Sequence, residues 1–355
     1  MPLSASDAVA LPKVLLHDHL DGGLRPNTVF ELADAIGYAL PADTPEALSD
    51  WFIAGSELAD LPRTLEMFDH TTAVMQRADH LERVAAEAVA DLSADGVVYA
   101  EVRFAPEQHQ ADGLALDEVV EAVTAGFRRG EAEAAASGSS ICVNAILCAM
   151  RTADRSLEIA QLVDALREWD DKVVAFDLAG AETGFGPSLH AEALAFARRT
   201  HQNITIHASE EPAHELIAEA IEYGAHRIGH GVRLQADIDR SPDGSIDVAA
   251  GALGPLARHV HDHQIHLEMA PTCHVQVGAV ASFDQHPMAA MLRAGFNVGV
   301  NTDNRLMSGV SASSELAALS AAFELTDAEC RQLQVNAAMA SFAPRDQRLA
   351  LAASM

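Results

Sequence analysis

The chain has 355 residues, of which 49% are hydrophobic and 21% are charged, and this composition indicates a folded globular protein and not a disordered one. Its 52 acidic residues against 23 lysines and arginines give a formal net charge of −29, which disfavours nucleic acid and anionic membranes as partners. No apolar run approaches the ~20 residues of a membrane-spanning helix, and the N-terminus lacks the basic and apolar segments of a secretory signal.

The cysteines show no short paired spacing that would indicate a disulfide framework or a cysteine-rich metal site. They are Cys142, Cys148, Cys273 and Cys330. Reduced thiols in a large chain are typical of intracellular proteins, so we expect a cytoplasmic location.

The first predicted strand, near residues 14–17, ends in a His-x-His pair formed by His17 and His19. Side chains alternate along an extended segment, so both imidazoles can face the same divalent metal ion. Taken alone, such a pair is more typical of two polar residues at a strand end. The interpretation therefore depends on what the later segments contribute.

The segment from about residue 21 to residue 94 is much longer than an ordinary connection between elements, so it should have structure of its own. Helical patterning near residues 27–36 and 61–76 predicts a helical insertion after the first strand. Leu61, Leu65 and Phe68 share one face of the second of these helices. They either pack onto the body of the protein or form a lid over an apolar ligand.

Short runs rich in Val, Ile and Leu continue along the chain with amphipathic stretches between them, which predicts buried parallel strands separated by helices. The seven later strands are predicted near residues 97–104, 142–147, 173–177, 204–207, 227–230, 265–269 and 297–301. Eight strands predict an α/β fold, a (β/α)8 barrel of the TIM type, with residues 1–355 as a single domain. The alternative is an open doubly wound sheet, but no Gly-x-Gly-x-x-Gly follows the first strand.

Polar residues recur where the predicted strands end. They are His17, Glu101, Arg103, Asp177, His207, His230, Glu268 and Asp303. The carboxyl ends of barrel strands converge on one mouth, so these distant residues become neighbours. Three imidazoles and one carboxylate, from His17, His19, His207 and Asp303, would bind a borderline cation such as zinc and leave a position for water. Water bound to zinc has a pKa lowered to about 7, which provides hydroxide at neutral pH.

Two further residues are candidates for proton transfer. Glu210 follows His207 by three positions and could donate a proton to a substrate or leaving group, or could be an acid at the start of the next helix. His230 lies between two glycines and could be a metal ligand or a free imidazole. With four ligands already assigned, we expect His230 to orient and deprotonate the water.

A second histidine cluster, at residues 259–266, precedes a predicted strand instead of following one. It should therefore lie at the opposite rim of the barrel. We interpret this cluster as a solvated helix end.

The motifs and their order resemble the adenosine deaminases of the metal-dependent amidohydrolase superfamily, from about Leu11 to Phe342. The segments that carry the resemblance are residues 12–22, 61–69, 96–103, 176–180, 207–210, 227–231 and 301–304.

The resemblance implies an enzyme with one Zn²⁺ per chain that converts adenosine and deoxyadenosine to inosine and deoxyinosine and releases ammonia. His17, His19, His207 and Asp303 would bind the zinc, and His19 would also border the substrate. Glu210 would protonate the purine N1, while His230 would position and deprotonate the attacking water.

The resemblance also implies contacts to the rest of the substrate. Asp21 would bind ribose hydroxyls, Gly180 would donate its backbone N–H to the purine N3, and Leu61, Leu65 and Phe68 would cover the ligand. The family often has Gly where this chain has Ser209, and a second Asp where it has Asn304. An amide NH2 donates a hydrogen bond at every pH, so Asn304 can still meet the purine N7.

Three functions therefore remain open. The first is a purine nucleoside deaminase acting on a small molecule, and the second is a deaminase of another aminopurine, such as adenine, methylated AMP or aminodeoxyfutalosine. The third is a non-catalytic metal-binding barrel, which would have no use for the proton donor Glu210 and the base His230. The sequence makes no prediction of the oligomeric state.

Overall fold

The computed structural model describes residues 3–58, 61–211 and 213–355, with the backbone alone for residues 61–65. Eight parallel strands pair in chain order: β1 (Lys13–His19), β2 (Val97–Phe104), β3 (Cys142–Met150), β4 (Val173–Ala179), β5 (Asn203–Ala208), β6 (Arg227–His230), β7 (His266–Met269) and β8 (Val298–Val300). A parallel bridge between Asp18 and Asp303 brings the end of the last strand back to the first. The predicted TIM-type barrel is confirmed, and this sequential strand order rules out a doubly wound sheet.

Helices pack around the strands. Within the described residues they are α1 (Ala5–Ala10), α2 (Pro26–Ile36), α3 (Pro45–Ser56), α4 (Leu61–Ala73), α5 (Ala78–Ala94), α6 (Leu116–Ala136), α7 (Ser156–Leu166), α8 (Ala191–Arg199), α9 (Glu215–Glu222), α10 (Pro255–Asp262), α11 (Pro271–Gln276), α12 (Met288–Arg293), α13 (Arg305–Ser308), α14 (Ala312–Phe323), α15 (Asp327–Ala340) and α16 (Arg345–Ser354). None of these helices is long and apolar enough to cross a membrane.

The strands are apolar because both of their faces are covered. In β3, for example, every residue from 143 to 149 is buried. One face of each strand contacts the barrel interior and the other contacts the surrounding helices, which explains the continuous apolar runs in the sequence.

Two glycines allow the adjacent helices α5 and α6 to pack closely. A Cβ atom at Gly126 would lie 2.4 Å from the carbonyl oxygen of Glu82, and one at Gly130 would lie 2.6 Å from Cβ of Val89. Only a residue without a side chain fits at these two positions. This contact anchors the helix that precedes β2 to the barrel wall.

The connection between β1 and β2 contains four helices, α2 to α5. The predicted helical segments at residues 27–36 and 61–76 correspond to α2 and α4. Phe68 of α4 is partly buried and lines the barrel mouth. The side chains of Leu61 and Leu65, predicted to share its face, lie outside the described part of the chain.

The structure differs from the sequence predictions in two places. Strand β3 extends to Met150, three residues past its predicted end, because Cys148, Ala149 and Met150 are still paired with β4. Helices α14 to α16, which the periodicity did not reveal, follow the last strand. They pack near α1, β1 and β8 and cover the seam at which the barrel closes.

Candidate metal centre and catalytic pocket

Four predicted ligands meet at the carboxyl ends of three strands. His17 and His19 lie on β1, His207 lies on β5, and Asp303 follows β8. One potential ligand atom from each residue lies within 4.8 Å of those of the other three. The topology thus brings together residues that are up to 286 positions apart, from His17 to Asp303.

The spacing of these atoms suits a zinc ion. Nε2 of His19 lies 3.1 Å from Nε2 of His207 and 3.4 Å from Oδ1 of Asp303, and Nε2 of His17 lies 3.2 Å from the same oxygen. Two ligand atoms about 2.0–2.1 Å from a tetrahedral zinc lie roughly 3.3 Å apart. In addition, Nε2 of His17 is buried and has no hydrogen-bond partner among the described residues. The donor set therefore fits the metal.

Carboxylates on the far side of two imidazoles orient them toward this centre. His17 donates its Nδ1–H to Glu268 at 2.8 Å, and Nδ1 of His207 lies 3.2 and 3.1 Å from the two oxygens of Asp177. Each contact places the ring proton on Nδ1 and leaves a lone pair on Nε2, which is the arrangement that metal-binding histidines use.

The pKa values of the histidines favour their neutral, ligating form. Burial lowers the pKa of His17 and of His19 well below the usual value. The nearby guanidinium of Arg103 acts in the same direction on both rings. A neutral imidazole is the form that binds a metal.

Beneath the centre, two buried arginines and three buried carboxylates form one network. Arg103 contacts Asp177 at 2.8 Å and Glu268 at 2.7 Å, and Arg227 contacts Glu101 and Glu268 at 2.6 Å. Although burial raises the pKa of Glu268, the two arginines outweigh it and lower that pKa to about 2. Glu268 is therefore an anion that holds His17 in place.

Glu210 is buried beside the ligand cluster. Burial, followed by the charges of Asp303 and Glu182, raises the pKa of Glu210 well above its usual value. Its Oε1 accepts a hydrogen bond from the Cys273 thiol at 3.4 Å. These surroundings favour the neutral carboxyl group, which is the form that can donate a proton.

Reciprocal contacts between the loops after β4 and β5 position Glu210. The carboxylate of Glu182 accepts backbone N–H groups of Ser209 at 3.0 Å and of Glu211 at 3.2 Å. In return, Glu211 accepts the N–H groups of Glu182 and Thr183. Helix α9 begins only at Glu215, so Glu210 is not in its first turn and the alternative role as a helix-terminal acid is not supported.

Ser209 adopts a left-handed conformation with a φ of 67°. This region costs least for glycine, so Ser209 occupies a position whose backbone conformation would also suit glycine. The turn directs Glu210 toward the mouth immediately after β5.

His230 is fully buried next to these groups. Its ring centroid lies 4.7 Å from that of His17 and 5.2 Å from that of His207, and its Nε2 lies 3.6 Å from Oε2 of Glu210. Nδ1 of the same ring points away from the centre, toward Nε2 of His274 at 3.1 Å.

Two adjoining pockets open at the mouth. The first, of about 520 Å³ including its solvent-open part, is lined by Glu210, His230, Cys273, Asp303 and Asn304, among others. The second, of about 440 Å³, is lined by Asp21, Gln108, Cys148 and Met150, among others. His19, Phe68 and Gly180 border both pockets. Both volumes include space that is open to solvent.

Three predicted substrate contacts lie around these pockets. Asp21 is buried, its Oδ1 has no partner among the described residues, and burial raises its pKa to about 7. Asn304 donates from Nδ2 to Asp303 at 2.8 Å and retains a second amide hydrogen. Gly180 has a φ of 94° at the end of β4, a conformation that glycine adopts readily.

Arginines near the mouth are engaged by the protein itself. Arg103 belongs to the buried network, Arg305 contacts Asp18 at 2.9 Å, and Arg151 donates to the carbonyl oxygens of His207 and Phe185. Arg233 donates its Nε–H to the carbonyl oxygen of Glu210.

The histidines at residues 259–266 take no part in this site. His259 and His263 are exposed at the end of α10, before β7, with ring centroids 4.1 Å apart.

Sequence reasoning did not identify Glu182 or His286 as part of the site's surroundings, because neither belongs to a local motif. The sequence alone gives no signal for such long-range contacts.

Comparisons with known proteins identify relatives of the chain. The family model described as adenosine deaminase matches residues 12–355. An adenosine deaminase of Mycobacterium leprae is 49% identical over 352 residues, which cover 99% of this chain and 95% of that protein. Adenosine deaminase 1 of Streptomyces coelicolor is 49% identical over 342 residues, with coverage of 96% and 85%. The crystal structure of an adenine deaminase from Arthrobacter aurescens superposes with a TM-score of 0.80 at 26% identity, covering 97% of each chain.

Proposed function

The chain belongs to the adenosine deaminase family, and from that premise we propose that it hydrolyses adenosine and deoxyadenosine to inosine and deoxyinosine with release of ammonia. The observation that carries this proposal is the buried carboxyl group of Glu210, whose pKa burial raises, beside a cluster suited to a metal. A site that only stored a metal would gain nothing from this arrangement.

One Zn²⁺ per chain would be held by His17, His19, His207 and Asp303, whose spacing and tautomers fit it. When bound, zinc supplies a water molecule whose pKa is lowered to about 7.

Glu210 would hold its proton at the purine N1. Protonation of N1 draws electrons from C6 and makes that carbon open to attack by water. The two loops that Glu182 and Glu211 tie together keep the carboxyl group in place during this transfer.

His230 and Asp303 would orient the attacking water. Both are buried against the ligand cluster, and Nε2 of His230 faces Glu210 across 3.6 Å. Water held between these groups would be close to the proton donor Glu210 and available to attack C6.

Each of the two pockets would bind one part of the substrate. The purine would occupy the first, with Asn304 at N7 and the backbone N–H of Gly180 at N3. The ribose would extend toward the second, where the unpartnered oxygen of Asp21 can accept from a hydroxyl group. His19 would border the substrate between the pockets, and Phe68, with Leu61 and Leu65 of the same helix, would cover it.

The charges near the mouth favour a nucleoside over a nucleotide. A phosphate needs unengaged cationic donors, whereas Arg103, Arg151 and Arg305 all have protein partners. The net charge of −29 also repels polyanions. We therefore propose a small, uncharged purine nucleoside as the substrate and, from the free cysteines, a cytoplasmic enzyme.

A substrate panel tests this function. Adenosine, deoxyadenosine, adenine and N6-methyl-AMP are each incubated with the zinc-loaded protein, and both loss of adenine-band absorbance and ammonia release are measured. We expect turnover of the two nucleosides. Turnover of adenine or methylated AMP without turnover of adenosine would contradict the proposal.

A further inference from the structure

Behind His230, two more imidazoles continue in a line away from the centre. Nδ1 of His230 lies 3.1 Å from Nε2 of His274, and Nδ1 of His274 lies 2.9 Å from Nε2 of His286. All three side chains are completely buried. The proposed function uses only the first of them.

A backbone group determines the direction of this chain of hydrogen bonds. The N–H of Met288 donates to Nδ1 of His286 at 3.2 Å. An amide hydrogen cannot move to another atom, so Nδ1 of His286 must be the acceptor. A neutral His286 therefore carries its proton on Nε2.

The next two rings are constrained in the same way. Nε2–H of His286 donates to Nδ1 of His274, which leaves the proton of His274 on Nε2. Nε2–H of His274 then donates to Nδ1 of His230. The proton of a neutral His230 is consequently on Nε2.

The two outer rings are neutral, as this argument requires. Burial, then His286 and Arg233, lowers the pKa of His274 well below its usual value. Burial and Arg240 lower the pKa of His286 to about 3. Each ring therefore has one donor and one acceptor nitrogen.

We propose that His274 and His286 are positioning residues that hold His230 in its Nε2–H tautomer, with that N–H directed at Glu210 and the metal-ligand cluster. In this tautomer a neutral His230 donates a hydrogen bond to the attacking oxygen and has no Nε2 lone pair to accept its proton. This differs from the base role predicted from the sequence. The effect on rate rests on the proposed function, whereas the tautomer does not.

The opposite tautomer is disfavoured by the same contacts. If Nδ1 of His230 carried the proton, two N–H groups would face each other at one of the three contacts along the line. Each contact is buried, so water cannot relieve the conflict.

Nitrogen NMR of the zinc-loaded enzyme with 15N-labelled histidine tests the tautomers directly. Spectra of His230→Gln, His274→Gln and His286→Gln assign the three rings. We expect all three to show a protonated Nε2 and an unprotonated Nδ1. A protonated Nδ1 on His230 or His274, or an imidazolium at either position, would overturn the proposal. The wild-type spectrum gives this answer even where a variant does not fold.

Kinetics of two substitutions at one position test the effect on the reaction. His274→Leu removes both hydrogen bonds, and we expect kcat to fall by about 10- to 100-fold with KM changed by less than about 2-fold and zinc content unchanged. His274→Gln can accept through its oxygen and donate through its nitrogen, so it should recover most of kcat.

A matched control is His80→Gln, another buried histidine, whose ring bonds only the carbonyl oxygen of Val74. It should leave kcat and the His230 signals unchanged. Wild-type kcat in His274→Leu, or an equal loss in His274→Gln, would remove the positioning role. If all three histidines carry the proton on Nε2 but the enzyme does not turn over adenosine, only the proposed function is rejected. If the enzyme turns over adenosine but His230 carries its proton on Nδ1, only this inference is rejected.

Discussion

At the scale of single residues, the proposed chemistry depends on one carboxyl group whose neutral form is favoured by its surroundings. Among the described residues, no lysine or arginine forms an ion pair with Glu210, while Asp303 and Glu182 lie close to its carboxyl group. Glu268 lies in the same barrel but between two arginines, and its pKa falls to about 2. The two carboxyl groups therefore have opposite tasks, one as a proton donor and the other as an anchor for His17.

Replacement of Glu210 tests its role as the proton donor. An amide has the same shape but cannot transfer a proton, so Glu210→Gln should retain zinc and lose about 10²- to 10⁴-fold in kcat. Glu215→Gln, an exposed change at the start of α9, serves as the control and should behave as wild type. Full activity of Glu210→Gln would show that Glu210 transfers no proton.

Removal of one imidazole tests the ligand set. His19 contributes an Nε2 that lies 3.1–3.4 Å from two other predicted ligand atoms. His19→Ala should therefore contain clearly less than one zinc per chain by elemental analysis, because one of four donors is lost. His259→Ala, in the exposed histidine pair on α10, should keep its zinc. Equal zinc content in the two variants would contradict the assignment.

At the scale of elements, three residues other than glycine have a left-handed backbone conformation where strands end at the mouth. Ser209, His230 and Asp303 all have positive φ values, of 67°, 62° and 57°. Such conformations are uncommon for residues other than glycine and persist where the surrounding contacts hold them. Here they occur at or just after the ends of β5, β6 and β8, where the chain turns at the mouth.

Helix α14 carries a buried carboxyl group that links stability to pH. Glu315 is 1% exposed and accepts the N–H of Thr272, at the start of α11, at 3.3 Å. Burial raises its pKa from 4.5 to about 7. Because the folded state prefers the protonated form, the contribution is complete below pH 4.5 and is lost as pH rises through about 7.

The difference between 4.5 and about 7 corresponds to about 3 kcal/mol of unfolding free energy. Thermal unfolding of Glu315→Gln between pH 5 and pH 8 should therefore show a smaller loss of Tm toward high pH than wild type. Glu324→Gln, at the exposed end of the same helix, should follow the wild-type curve. Parallel curves for all three proteins would show that Glu315 titrates normally.

At the scale of the whole molecule, the barrel and the positions of its polar residues could be predicted from the sequence. Buried parallel strands produce apolar runs that stand out, and a side chain at the end of any such strand faces the common mouth. This rule applies to His207 and Asp303 without knowledge of their neighbours. It explains why residues from separate motifs could be grouped before their distances were known.

Other parts of the site could not be predicted because they depend on contacts between distant segments. The ion pairs of Arg103 and Arg227 with Glu268 require the barrel interior to be closed. Glu182 acts only through the loop that carries Glu210, and His286 acts only through its contact with His274. No local sequence pattern identifies these residues, since none of them belongs to a motif in its own segment.

The proposed function depends on four side chains that share one metal ion at the barrel mouth. Anomalous diffraction at the zinc absorption edge, from crystals of the zinc-loaded enzyme, tests it most directly. We predict one strong peak about 2.0–2.2 Å from ligand atoms of His17, His19, His207 and Asp303. A peak bound elsewhere, for example by His259 and His263, with none at the mouth would contradict the account.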